Sequence, residues 1–224
     1  KPVGIKLCVG QPHEVFAIVK AMRSTGILLD FIVVDGAEGG TGAAPREFSD
    51  HLGLPLREGL VLVRNALVGA ALHPHVRIGA AGKMVSAFDI AAALATGADW
   101  CNAARAFMFS IGCVQSVKCH TGRCPTGVAT QDPDRQKGLV VEDKAERVRR
   151  FQSRTVHALA ELVAAAGLDH PSDLEPRHLL HRRSPNEIVP MDRLYPFLTP
   201  GALIDAPDAT PYASDWAAAD PASF

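Results

Sequence analysis

Over residues 1–112, short β-rich runs alternate with longer stretches of helical character. Val3–Cys8 reads as a strand. The stretch after it opens on Pro12, a residue suited to a first helical turn, and closes near Gly26. Phe31–Asp35 (FIVVD) is almost continuously apolar, as in a strand covered on both faces. A glycine-rich loop then leads to a predicted helix over Leu56–Leu72. Val76–Ala80 predicts a third strand, ending in Gly79-Ala80-Ala81-Gly82. Ser86, with Asp89 three residues on, forms a capping pair for an alanine-rich helix that stops at Gly97. Asp99–Ala104 predicts a fourth strand. Alternation of this kind implies a parallel sheet with right-handed crossovers, either a barrel or a doubly wound sheet.

After Gly112 the texture changes. Residues 113–135 form a loop rich in Cys, Gly and Pro, and residues 136–184 predict C-terminal helices. The main one runs over Glu142–Gly167, with an apolar stripe of Val148, Phe151, Thr155, Leu159 and Leu162. The charge run Lys144–Arg150 reads as its solvated face. Residues 185–224 are rich in Pro, Ala and Asp with few periodic hydrophobes. They predict an extended tail, partly disordered or draped over the rest.

Length and charge narrow the possibilities. A chain of 224 residues can bury one sizeable core. It opens on an apolar run without a methionine, as expected of a piece excised from a longer protein. A full (β/α)8 barrel takes about 250 residues, so four βα units predict an incomplete one. The formal net charge of −1 gives no reason to expect a nucleic-acid or membrane partner. No apolar run approaches the roughly 20 residues of a membrane span. Five cysteines, three of them within twelve residues, do not suit an exported disulfide scaffold, and a cytoplasmic location is expected. Cys8 and Cys101 lie in apolar runs and read as small buried thiols.

The candidate chemistry lies at strand ends and in the cysteine loop. Gly36-Ala37-Glu38-Gly39-Gly40-Thr41-Gly42 follows FIVVD directly, and its glycines let backbone N–H groups approach a ligand. The alternative is a long turn without function. If the four strands are the last of a barrel, Gly82-Lys83 and Ala104-Arg105 follow strands seven and eight. Barrels commonly bind phosphate there, with Lys83 and Arg105 adding charge. Each cation could equally be a surface residue beside a helix. Lys6 interrupts an apolar strand and is either a mouth residue facing a ligand or a strand lysine reaching solvent.

Cys113, Cys119 and Cys124 stand at x5/x4 spacing on a loop where three thiolates can converge on one metal centre. That spacing is neither a zinc ribbon nor a ferredoxin pattern. Zinc held by the three cysteines and His120 is the competing metal reading. It is awkward because His120 abuts Cys119.

These residues carry a resemblance. A strand lysine, then DGxxGGTGAxP, then GxxGK, then GC-x5-CHTxxCPTGVATQDP resembles the FMN-binding synthase domain of the glutamate synthase family over roughly residues 1–135. The resemblance implies the C-terminal half of a (β/α)8 TIM barrel with a cysteine loop and a C-terminal helical extension, in a stand-alone family member. It implies FMN and a 3Fe-4S cluster as cofactors, and reductive amination of 2-oxoglutarate with ammonia to give glutamate. By the same resemblance, Lys6 meets the flavin or the oxo-acid and is catalytic. Gly39, Gly40 and Thr41 line the substrate side, and Gly82, Lys83, Ala104 and Arg105 surround the FMN phosphate. Cys113, Cys119 and Cys124 are the implied cluster ligands.

The partners implied are an electron-donor protein or reductase subunit and the remaining half of the barrel. A half-barrel alone would expose sheet edges, so a homo-oligomer is expected. Two other readings stay open: a different FMN barrel resembling inosine-monophosphate dehydrogenases, and a non-catalytic half-barrel module with zinc or no metal in the cysteine loop.

Overall fold

A computed structural model describes residues 1–36, 44 and 46–223. In chain order the elements begin β1 (Gly4–Leu7), α1 (Pro12–Thr25), β2 (Phe31–Asp35), α2 (Arg46–Asp50) and α3 (Leu56–Gly69). Next come β3 (Arg77–Ala81), α4 (Ala87–Ala95), β4 (Trp100–Asn102) and α5 (Arg105–Ser110). After the cysteine loop follow α6 (Pro133–Gln136), α7 (Val141–Ala165), β5 (Leu180–Ser184), β6 (Glu187–Pro190), α8 (Ala202–Asp205) and α9 (Ala213–Ala218).

β1 to β4 form a parallel sheet in sequential order. Strand alternation sorts its residues onto two faces. Ile5, Leu7, Ile32, Val34, Ile78, Ala80 and Cys101 point into the main core with α1 and α3. In register on the other face stand Lys6, Val33, Gly79 and Trp100, with Asp35, Ala81 and Asn102 one level nearer the C-terminal ends. Consecutive parallel strands in an α/β chain are compatible with part of a TIM barrel.

The local signals act as the sequence predicts at both ends of α1. Pro12 occupies its first turn, and Gly26 caps its end in the left-handed conformation at φ 70°. At α4 the Ser86–Asp89 capping box forms, with the Asp89 N–H donating to Ser86 Oγ at 3.2 Å. β4 is shorter than the predicted 99–104. Ala104 already has helical dihedrals (φ −95°, ψ −57°), so the chain turns into α5 directly after Asn102.

A second core lies outside the sheet. Ala91, Ala92 and Ala95 of α4 pack with Val163 of α7 and with Leu174, Leu179 and Met191. The buried end of the α7 stripe is Val163, whereas Leu162 stays 37% exposed. The antiparallel hairpin β5–β6 closes this region and was not legible in the sequence, because its β5 residues Leu180–Arg183 are all exposed.

The segment after Pro185 lies over the main core and carries structure of its own. It supplies β6, α8 and α9, and Leu203 is 1% exposed against α3. Its anchor is the buried Asn65 of α3. The Asn65 amide donates to Pro196 O (2.7 Å) and Tyr212 Oη (2.9 Å), and its Oδ1 accepts from the Leu198 N–H (2.9 Å). Phe16 of α1 meets Tyr212 and Trp216 at ring-centroid distances of 5.5 and 5.7 Å. Among the described residues, no helix is long and apolar enough to cross a membrane.

Candidate functional site

The C-terminal ends of β1–β4 gather the polar groups of the open sheet face. Lys6 is level with Val33, which is 6% exposed. The ammonium reaches one residue level further, to the Asp35 carboxylate at the end of β2, with Nζ···Oδ2 at 2.6 Å. The lysine side chain is 58% exposed and the aspartate 21%. The ion pair therefore stands at the mouth of the sheet, where open sheets and barrels carry their sites. Asp35 was not singled out from the sequence. The signal available was a carboxylate closing an otherwise apolar strand.

The ends of β2 and β3 are drawn tightly together. The Gly36 N–H donates to Ala81 O at 2.7 Å. A Cβ on Gly82, whose φ is +118°, would lie 2.8 Å from Gly36 N, so only glycine fits there without movement. Lys83 follows in the left-handed region at φ 53°. Its ammonium binds Asp50 of α2 at 2.8 Å, so a carboxylate already stands beside the charge expected to meet phosphate. At the end of β4, Ala104 stands as the N-cap of α5 and makes no side-chain cap. Arg105 is half-buried there and pairs with no carboxylate among the described residues. Gly39, Gly40 and Thr41 lie outside the described residues.

Aromatic rings lie across the bare side of the sheet. Trp100 and Phe31 meet edge to face at 5.7 Å. Gly79 makes room for them, since a Cβ there would sit 2.6 Å from the Trp100 ring. Tilted aromatic rings on the sheet, a lysine at its mouth and a cation beside the start of α5 are of the chemical type that could meet a flavin ring and its phosphate.

The cysteine loop is different. Cys113 is tied to the end of α5 by its N–H to Met108 O (2.9 Å), and its sulfur accepts the Gln115 N–H at 3.4 Å. Cys119 opens a single 3-10 turn over Cys119–Thr121. Cys124 is 4% exposed. Burial alone would push its thiol up. The Thr126 hydroxyl and the N–H groups of Ala129, Thr126 and Val128 overcome this and bring it down to about 7. The turn is held by Gly127 at φ 76°, a position a side chain could not share with Arg135 O. By contrast, burial against α4 raises the Cys101 thiol to about 11, as befits an inert core thiol.

Among the described residues, no group of three or more His, Cys, Asp or Glu side chains is placed to hold a metal ion. The three thiols thus suit an iron–sulfur cluster in chemical type, but this arrangement of the loop does not present them as one ligand set.

Comparison with known proteins follows the same segment. The family model described as the conserved region in glutamate synthase matches residues 1–169, from β1 through the whole of α7. The chain is 43% identical over 194 residues to the glutamate synthase large subunit-like protein YerD of Bacillus subtilis, covering 87% of this chain and 37% of that protein. It is 36% identical over 169 residues to an archaeal glutamate synthase (NADPH) of Methanocaldococcus jannaschii, covering 75% and 32%. Against the glutamate synthase (NADPH) large chain of Bacillus subtilis it is 31% identical over 159 residues, which is 10% of that protein. The chain spans about a third of the first two relatives. With the matched region covering the sheet, the cysteine loop and α7, the chain belongs to the glutamate synthase family.

Proposed function

We propose that this chain forms the C-terminal half of the synthase barrel of an FMN- and iron–sulfur-dependent oxidoreductase. The reaction assigned is reductive amination of 2-oxoglutarate with ammonia to glutamate. The observation that carries the reading is the gathering of Lys6, Asp35, Gly82 and Arg105 at one end of the sheet, in a member of this family.

Bound FMN would supply the hydride that reduces the imine of ammonia and the oxo-acid. The chain's own residues supply the rest. Arg105 and the uncapped start of α5 hold the phosphate, with Gly82, Lys83 and Ala104 around it. Lys6 offers its charge to the anionic reduced ring or to a substrate carboxylate. Gly39, Gly40 and Thr41 are assigned to the substrate side. Cys113, Cys119 and Cys124 are assigned to a 3Fe-4S cluster, which they could hold only after the loop leaves its present arrangement. An electron-donor protein or reductase subunit and the remaining half of the barrel are the partners assigned.

Flavin titration tests the reading. The 224-residue chain should quench FMN fluorescence on binding. Arg105→Ala should weaken binding by about 1.5–3 kcal/mol, roughly tenfold or more in Kd. Equal affinity of the two proteins for FMN would remove the phosphate assignment.

A further inference from the structure

We infer that Asp35 is the positioning residue for Lys6, an inference that rests on the reading of Lys6 as the cation of the flavin and substrate site. The argument begins with reach. Lys6 leaves the sheet at the level of Val33, Gly79 and Trp100, one level below the strand ends. A flexible four-carbon stem with 58% exposure has many directions open to it, and holding one of them costs side-chain entropy. Among the described residues, the feature at the mouth that selects a direction is the Asp35 carboxylate, 2.6 Å from Nζ and level with Ala81 and Asn102.

Asp35 is itself well placed for this. It is the last residue of β2, bonded into the sheet beside Ala81, and Gly36 after it is fixed by its N–H to Ala81 O. A carboxylate on a strand end is far stiffer than the lysine it holds. The ammonium is therefore delivered to a defined point at the mouth, at the strand end that Gly36 follows. An anion arriving there meets a cation already in place, which spares the ordering cost at the moment of binding.

Charge and position predict opposite effects, which makes the inference testable. Removing a carboxylate near a flavin, by charge alone, favours the anionic reduced ring and raises the midpoint potential. Losing the lysine from its place lowers it. Two measurements on the 224-residue chain separate the cases. The first is competitive acetylation with limiting acetic anhydride, read by mass spectrometry as the rate at Lys6 relative to the exposed Lys118. An ammonium held by a carboxylate must leave it to react, so Asp35→Asn should raise the Lys6 rate several-fold and Asp35→Glu should stay near the wild type. An unchanged rate in Asp35→Asn would overturn the inference.

The second is the midpoint potential of bound FMN. Lys6→Met should lower it, Asp35→Asn should shift it in the same direction, and Asp35→Glu should restore it. A rise in Asp35→Asn would show that Asp35 acts only as a nearby negative charge and would also overturn the inference. If no form of the chain binds FMN, the functional reading fails, while acetylation still decides whether Asp35 holds Lys6.

Discussion

Cys124 shows what a few backbone groups can do to one side chain. Its sulfur is buried, which by itself disfavours the thiolate, yet the Thr126 hydroxyl and three N–H groups from residues 126, 128 and 129 bring its pKa to about 7. The folded-state value lies below the ordinary thiol range. Its contribution to stability is therefore fully present above the unfolded value, near 9, and is lost as pH falls through about 7. Thr126→Val should move the thiol's titration upward, measured as the pH dependence of Cys124 alkylation by iodoacetamide. An unchanged midpoint would mean that the hydroxyl plays no part. The three cysteines were legible in the sequence by their spacing. The acidity of one of them was not, because it depends on N–H directions set by a turn around Gly127. Lys6 was legible as an oddity in an apolar strand. Its partner was not, since Asp35 lies 29 positions later and the register of β1 on β2 brings them together.

At the scale of elements, glycine and asparagine carry more than their sequence context suggests. Gly79 lies under the Trp100 ring, and its replacement by alanine forces a contact of 2.6 Å. Gly79→Ala should cost about 1–3 kcal/mol, as overpacking does, and should alter the Trp100 emission. Denaturant unfolding followed by tryptophan fluorescence checks both. Asn65 joins α3 to the C-terminal segment through three hydrogen bonds. Asn65→Ala strands the Leu198 N–H and the Pro196 carbonyl and should cost about 1–3 kcal/mol. It should also speed limited proteolysis between residues 196 and 223, and equal protection in both proteins would contradict the clamp.

The strands β1 to β3 and the helices α1, α3 and α4 were readable because local signals and apolar period agreed, as with Pro12 and Gly26 at α1 or Ser86 and Asp89 at α4, whereas the short helices α2 and α5 were not. The C-terminal segment was not readable. Its order comes from a few anchors (Leu198, Leu203, Tyr212, Trp216) inserted into the core of α1 and α3, and such anchors leave no period.

Across the whole molecule, the sheet has helices on one face and a mixed aromatic and charged surface on the other, with β1 and β4 each paired on one side among the described residues. Unpaired strand edges invite pairing with another copy. Size-exclusion chromatography with light scattering should give a mass above the 23.8 kDa of one chain, and a clean monomer would contradict that expectation. The α/β class with its parallel sheet and the family were legible because the motif residues fall where the chain alternates strand and helix. The state of the cysteine loop was not, since spacing says which thiols can meet and not whether they have met.

The most direct test of the redox account is an anaerobic visible spectrum of the 224-residue chain after reconstitution with iron, sulfide and FMN, with all three quantified per polypeptide. The account predicts flavin bands over a broad iron–sulfur shoulder, with the shoulder lost when Cys124 is replaced by serine. A colourless chain, holding zinc or no metal in the cysteine loop, would contradict it.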